Sequence, residues 1–258
     1  MILTIDVGNS NIVIGGVEKD EIVFEARLRT ETTKTSDQYC VDLKILLDVY
    51  RVDTASIEGS IIASVVPQVL NSMQTAVKKL TGLQSLVVGP GLKTGLNIRL
   101  ENPNQTGADL VVGCVAALRE HKPPMIVIDM GTATTMVVLD QSGSLIGGCI
   151  CPGVKISMDA LTDRTALLPG LQLDQPKKAI GRNTIDCMRS GIMMGTAAMV
   201  DGMVKRMESE LGQKTTVVAT GGIAKFILPM CETRIHYDKD LLIKGLATLY
   251  RENLSKSK

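Results

Sequence analysis

Two short stretches combine an acidic residue, a glycine and a run of hydroxyl or amide side chains between apolar segments. One is Asp129–Met130–Gly131–Thr132–Ala133–Thr134–Thr135, entered from the apolar run 125–128 and left through 136–139. The other is Asp6–Val7–Gly8–Asn9–Ser10–Asn11, entered from Leu3–Thr4–Ile5 and left through Ile12–Val13–Ile14. In each, the apolar runs read as a strand and its return. The glycine lets the backbone come close to a ligand, and the hydroxyls and amides can point at it. The carboxylate can hold a cation or a water. A glycine pair follows later at Thr220–Gly221–Gly222. A single copy would read as an ordinary hairpin with an Asx turn. Two copies about half a chain apart imply a duplicated nucleotide-binding fold that grips a phosphate chain from both sides.

The composition is compatible with that chemistry and excludes others. The formal net charge is +1 over 258 residues, so electrostatics gives no reason to expect nucleic acid as a partner. There is no Trp, and Phe and Tyr together number six, so the core must be aliphatic, as in an α/β protein with buried strands. No Cys-x-x-Cys occurs among Cys40, Cys114, Cys149, Cys151, Cys187 and Cys231, and the only histidines are His121 and His236, which argues against a structural zinc site. No apolar run approaches the ~18–20 residues that span a bilayer, and no leader precedes the first strand. The expectation is a cytoplasmic protein with reduced cysteines and no membrane partner.

The elements that must position these residues follow from pattern. Strands are expected over 1–7, 12–17 and 22–28. Ser36 reads as the N-cap of a helix to about Tyr50 with Tyr39, Leu43, Leu46 and Leu47 on one face. A strand at 59–66, a helix at 69–80 and a strand at 85–88 complete a half whose order resembles the ribonuclease-H-like half of the actin, Hsp70 and sugar-kinase fold. Residues 89–106 read as a crossover. A helix opening at Thr106 or Asp109 runs to about His121, and strands at 125–130, 134–140 and 144–151 begin the plan again. A helix follows Pro152–Gly153 to Thr162, then a loop, then a long helix from Asn183 or Thr184 to about Leu211. That helix carries Gly191 and Gly195, spaced for close approach to another backbone. It also carries a methionine stripe (Met188, Met193, Met194, Met199, Met203, Met207) that reads as core or dimer interface. A strand at 215–220, helices at 223–228 and 240–254, and a frayed tail at 255–258 close the chain. The fold class is α/β, with halves 1–105 and 106–258 and two mixed five-stranded sheets flanked by helices.

Taken together, several motifs resemble the type III pantothenate kinase family over nearly the whole chain. They are the two Asp-x-Gly turns, residues 61–67, Gly107–Ala108–Asp109, Gly147–Gly148 with Pro152–Gly153, Ile180–Gly181–Arg182–Asn183–Thr184, and Ala219–Thr220–Gly221–Gly222. The resemblance implies ATP-dependent phosphorylation of pantothenate to 4'-phosphopantothenate, the first step of coenzyme A synthesis, by a homodimer. It implies magnesium and a monovalent cation, potassium or ammonium. Asp6, Val7, Gly8, Asn9, Ser10, Asn11, Ile12, Val13 and Thr132 would hold ATP, with Asp6 reaching magnesium through water. Leu100, Gly107, Ala108, Asp109, Leu110 and, from the neighbouring subunit, Thr184 would form the pantothenate site. Asp109 would be the catalytic base and Asp129 the monovalent-cation ligand. From the residues alone, Asp109 is equally a helix N-terminal aspartate favoured by the dipole. Asp129 is equally a second magnesium-facing carboxylate, and Thr184 a helix cap.

Two positions depart from the family pattern, both on the acceptor side. Leu110 stands where arginine follows the base, and Leu100 where tyrosine precedes it by nine residues. Losing a charge-assisted hydrogen bond to a carboxylate costs about 1.5–3 kcal/mol, or roughly ten- to a hundredfold in affinity. Arg99, in an extended segment, would face away from position 100; Lys93 and Arg119 are the other cations to consider. Three readings follow: a pantothenate kinase with a rearranged pocket, a kinase for a less polar acceptor, or a non-catalytic regulatory relative.

Overall fold

The computed structural model describes residues 1–254, and the tail expected at 255–258 lies outside them. The first elements are β1 (Ile2–Val7), β2 (Asn11–Glu18), β3 (Glu21–Arg29), α1 (Ser36–Val49), β4 (Gly59–Ser64), α2 (Pro67–Thr81), β5 (Leu86–Val87) and α3 (Ala108–Glu120). There follow β6 (Met125–Met130), β7 (Ala133–Leu139), β8 (Leu145–Pro152), α4 (Val154–Asp163), α5 (Thr184–Leu211), β9 (Thr216–Thr220), α6 (Ala224–Ile227), β10 (His236–Tyr237) and α7 (Leu241–Leu254).

These elements build the expected sheet twice. The first has the order β3-β2-β1-β4-β5, with β1, β2 and β3 antiparallel and β4 and β5 parallel to β1. The second has the order β8-β7-β6-β9-β10, with the same pattern of directions. The central strands β1 and β6 are buried nearly throughout, which is why their sequences are mostly apolar, and the buried Thr4 hydroxyl of β1 donates to Gly15 O. Strand β10 is two residues long and has no hydrophobic alternation, so its pattern did not announce a fifth strand.

The chain packs as two compact units. The first holds Met1–Leu96, Glu101–Arg119 and residues 240–254; the second holds Asn97–Leu100 and Glu120–Lys239. Helices α3 and α7 come after residue 105 yet belong to the first unit, where α7 packs on the first sheet. Gly245 of α7 lies against the backbone of Val112 in α3, and Ile243 and Ala247 cover Val17. On the other face, Tyr39, Leu43 and Leu47 of α1 and Met73 of α2 share a core with Leu3, Ile5 and Ile12. Thr35, rather than Ser36, caps α1 in a reciprocal box. Its hydroxyl accepts from Gln38 N, and the Gln38 side chain accepts from Thr35 N.

In the second unit, Ile192, Met193, Ala197, Val200 and Val204 of α5 pack on Ile126, Ile128, Met130, Met136 and Val138. Met199, Met203 and Met207 flank that core, so the stripe is core in part. Gly191 and Gly195 are different: a Cβ at either would meet nothing within 4 Å, so the close approach their spacing led us to expect is not made within this chain.

Candidate active site

In the first unit, β1 and β2 deliver the Asp6–Val13 stretch. Asp6 is buried near the end of β1, opposite Val13 in the ladder. The turn beyond it is closed by Gly8 N donating to Asn11 O at 3.0 Å. A Cβ on Gly8 would sit 3.1 Å from that same carbonyl, so the turn is tight because residue 8 is glycine. Asn9, Ser10 and Asn11 are exposed around it, whereas Val7 and Ile12 are buried and fix the turn to the core. Thr30, just past β3, braces the turn. Its hydroxyl donates to Gly8 O at 2.7 Å and its N–H to Ser10 O at 3.1 Å. The partners lie about twenty residues apart across the β2–β3 ladder, so only pairing reveals them.

The start of α3 carries the other half of this unit's chemistry. Asp109 Oδ1 accepts from Leu110 N at 2.8 Å, which folds the carboxylate back over the first turn. There it occupies the space where residue 107 would carry a side chain: a Cβ on Gly107 would lie 2.5 Å from Oδ1. Gly107 is thus the seat of the Asp109 carboxylate, a role the Gly–Ala–Asp triplet hints at by its glycine. Burial pushes the Asp109 carboxyl above its usual range, while hydrogen bonds from the N–H groups of Leu110 and of Asp109 itself oppose that rise.

In the second unit, three separate stretches converge on one turn. Gly131 N donates to Ala133 O at 3.0 Å and closes the β6–β7 hairpin around Thr132. Gly153, at the start of α4, lies against Gly131 and Thr132, where a Cβ would come 2.8 Å from Gly131 O. Gly221, with φ of +97°, lies against the Met130 carbonyl, and a Cβ there would be 2.8 Å from Asp129 Oδ1. Gly221, the first of the glycine pair after β9, therefore borders the Asp129 carboxylate. Thr135 stands opposite Asp129 in the ladder, and its hydroxyl is buried without a hydrogen-bond partner. Asp129, the Met130 carbonyl and Thr135 together offer the kind of oxygen donors that suit a hard cation. Among the described residues, no group of three or more His, Cys, Asp or Glu side chains is placed to hold a metal.

The type III pantothenate kinase family model matches residues 2–206. The chain belongs to the type III pantothenate kinase family. A type III pantothenate kinase from an Exiguobacterium species is 44% identical over 253 residues, covering 98% of this chain and 99% of the relative. One from Halalkalibacterium halodurans is 42% identical over 254 residues, covering 98% and 100%. Among solved structures, the activator of the 2-hydroxyisocaproyl-CoA dehydratase from Clostridium difficile, bound to ADPNP, superposes with a TM-score of 0.60 at 14% identity. That match covers 99% of this chain and 96% of the activator. Its likeness shows the fold alone: the duplicated ribonuclease-H-like architecture of actin, Hsp70 and sugar kinases.

Leu100 is half-buried in the second unit and Leu110 half-buried in the first. Arg99 pairs with Asp140 at 3.3 Å, and its N–H donates to Leu145 O at 2.8 Å. Asp140 follows β7, so Arg99 is held a strand's length, roughly 20 Å, from the Thr132 turn that precedes it. Arg119 pairs with Glu252 at the far end of α3, about 15 Å along the helix from Asp109. Lys93 is exposed, and its backbone is tied to Asn253 at 3.1 and 2.8 Å. Arg119, in the same unit as Leu110, does not stand in for an arginine at position 110. Thr184 is exposed at the start of α5, where Asn183 is the cap, accepting from Asp186 N at 2.9 Å. Gly181 lets the preceding loop lie against that first turn.

Proposed function

We propose that this chain is a pantothenate kinase, transferring the γ-phosphoryl group of ATP to the primary hydroxyl of pantothenate. Family membership supports it, and the observation that carries it is the Asp109 carboxylate, half-buried and seated on Gly107 with raised basicity. In the reaction, the acceptor oxygen attacks the γ-phosphorus in line. The bond to the β–γ bridging oxygen breaks, ADP leaves, and the hydroxyl proton passes to Asp109. Transfer of this kind depends mostly on positioning and charge neutralisation, so a base that also orients the hydroxyl serves both needs.

Residues Asp6–Val13 and Thr132 are the ATP-holding set in this reading. The glycine at position 8 and the amides around it suit phosphate oxygens. Asp6 would hold magnesium through water, an ion that spreads the charge developing on the phosphates. Asp129, with the Met130 carbonyl and the Thr135 hydroxyl beside it, would hold potassium or ammonium. The exposed small-residue face of α5 at Gly191, Gly195 and Ala198 supports a homodimer in which Thr184 reaches the partner's acceptor site. No described helix is long and apolar enough to cross a membrane.

One observation favours a second reading, a kinase for an acceptor lacking the carboxylate. Leu100 and Leu110 present apolar surface, and Arg99 and Arg119 are committed to Asp140 and Glu252. A coupled ADP-release assay with magnesium ATP and potassium tests both, with Asp109→Asn as the blank. Turnover dependent on pantothenate and absent in the variant supports the first reading. Turnover only with the uncharged alcohol analogue of pantothenate supports the second. No turnover with either acceptor refutes both.

A further inference from the structure

The only two histidines of the chain, His121 and His236, meet in the second unit, outside every turn described above. Their ring centroids are 4.9 Å apart and the rings are tilted by 40°. His121 is half-buried and His236 exposed, so the pair is open to solvent. Strand β9 holds both. Thr216 N donates to Pro124 O at 3.0 Å, fixing the segment after His121, and His236 pairs with Val218 in the β9–β10 ladder.

We propose that His121 and His236 form a two-imidazole site for a borderline divalent transition-metal ion, completed by water. Neutral imidazole is a common ligand for such ions. A metal–nitrogen bond of ~2.05 Å plus ~1.15 Å from nitrogen to ring centre puts each centroid ~3.2 Å from a shared ion. Nitrogen–metal–nitrogen angles of about 90–110° then separate the centroids by about 4.5–5.2 Å. The observed spacing falls inside that window. The site also has a structural consequence. The long segment of the second unit begins at Glu120 and ends at Lys239, so an ion bound here ties the start of that segment to its end.

Nickel is the discriminating probe, since imidazole suits it while soft thiolates select other metals. Protein stripped with a chelator is titrated calorimetrically with NiCl2 at neutral pH, beside His121→Gln and His236→Gln. One equivalent should bind, each substitution should weaken binding about tenfold or more, and nickel should raise the unfolding midpoint only with both histidines present. Kinase activity of either variant should be unchanged. No nickel binding, or binding indifferent to His236→Gln, would show that the two rings merely pack. His236 is exposed on an edge strand, so its variant should fold and the result can be read.

Discussion

Replacing Gly107 by alanine should cut turnover far more than stability. The added Cβ would lie 2.5 Å from Asp109 Oδ1, about 0.8 Å inside ordinary carbon–oxygen contact. The obstacle is the end of a side chain, not backbone, so the fold can relieve it by swinging the carboxylate aside. A swing of about 0.8 Å stretches the 2.8 Å bond from Leu110 N to roughly 3.6 Å, beyond hydrogen-bond range. The lost bond costs about 1.5 kcal/mol, and alanine returns about 0.4–1 kcal/mol through the unfolded chain, so the midpoint should fall by only a few degrees. Catalysis has no such offset. A misplacement near 1 Å at the reacting centre costs on the order of a hundredfold. The assay is steady-state ADP release under saturating ATP, paired with a thermal melt. A kcat within threefold of the unsubstituted protein would refute the seat-and-base reasoning. A collapse of the midpoint by more than ten degrees would show that Gly107 serves the fold instead.

Asp109→Asn should abolish turnover and stabilise the protein at neutral pH. The folded carboxyl keeps its proton to higher pH than the unfolded one, so the folded state binds more protons in that window and stability falls as pH rises through it. The variant's midpoint advantage should therefore vanish below the ordinary carboxylate range; a constant difference from pH 3 to 8 in thermal melts would contradict the burial argument. Gly221→Ala places a Cβ against the Met130 carbonyl at φ +97°, and should lose at least ~2 kcal/mol by chemical denaturation, because here the obstacle is backbone. Leu110→Arg should lower KM for pantothenate about ten- to a hundredfold with little change in KM for ATP, since neither Arg99 nor Arg119 is free to supply that charge. An unchanged KM for pantothenate would mean that the acceptor lies elsewhere. Asp129→Asn should remove potassium stimulation without raising the magnesium requirement, and Asp6→Asn should do the reverse; matching ion profiles would erase the distinction between the two carboxylates.

Much of this protein was legible in one dimension. The strands β1 and β6 are mostly apolar because both faces are covered, and each leads into an Asp-x-Gly turn. The repetition of that unit announced the duplicated fold, and the motifs between announced the family. Short local signals also worked where the partner is three residues away, as at Asn183 and Asp186. They were misread by one residue at Thr35, although the Thr-x-x-Gln box was there to be seen. What sequence could not decide were contacts between residues far apart in the chain. Thr30 braces Gly8 across a ladder, and Gly153 and Gly221 close on the Gly131 turn from different elements. The commitment of Arg99 to Asp140 and the meeting of His121 with His236 depend on which strands lie side by side. Local pattern reports which face of an element is apolar, whereas register and crossover decide which side chains become neighbours, and only the folded chain fixes those.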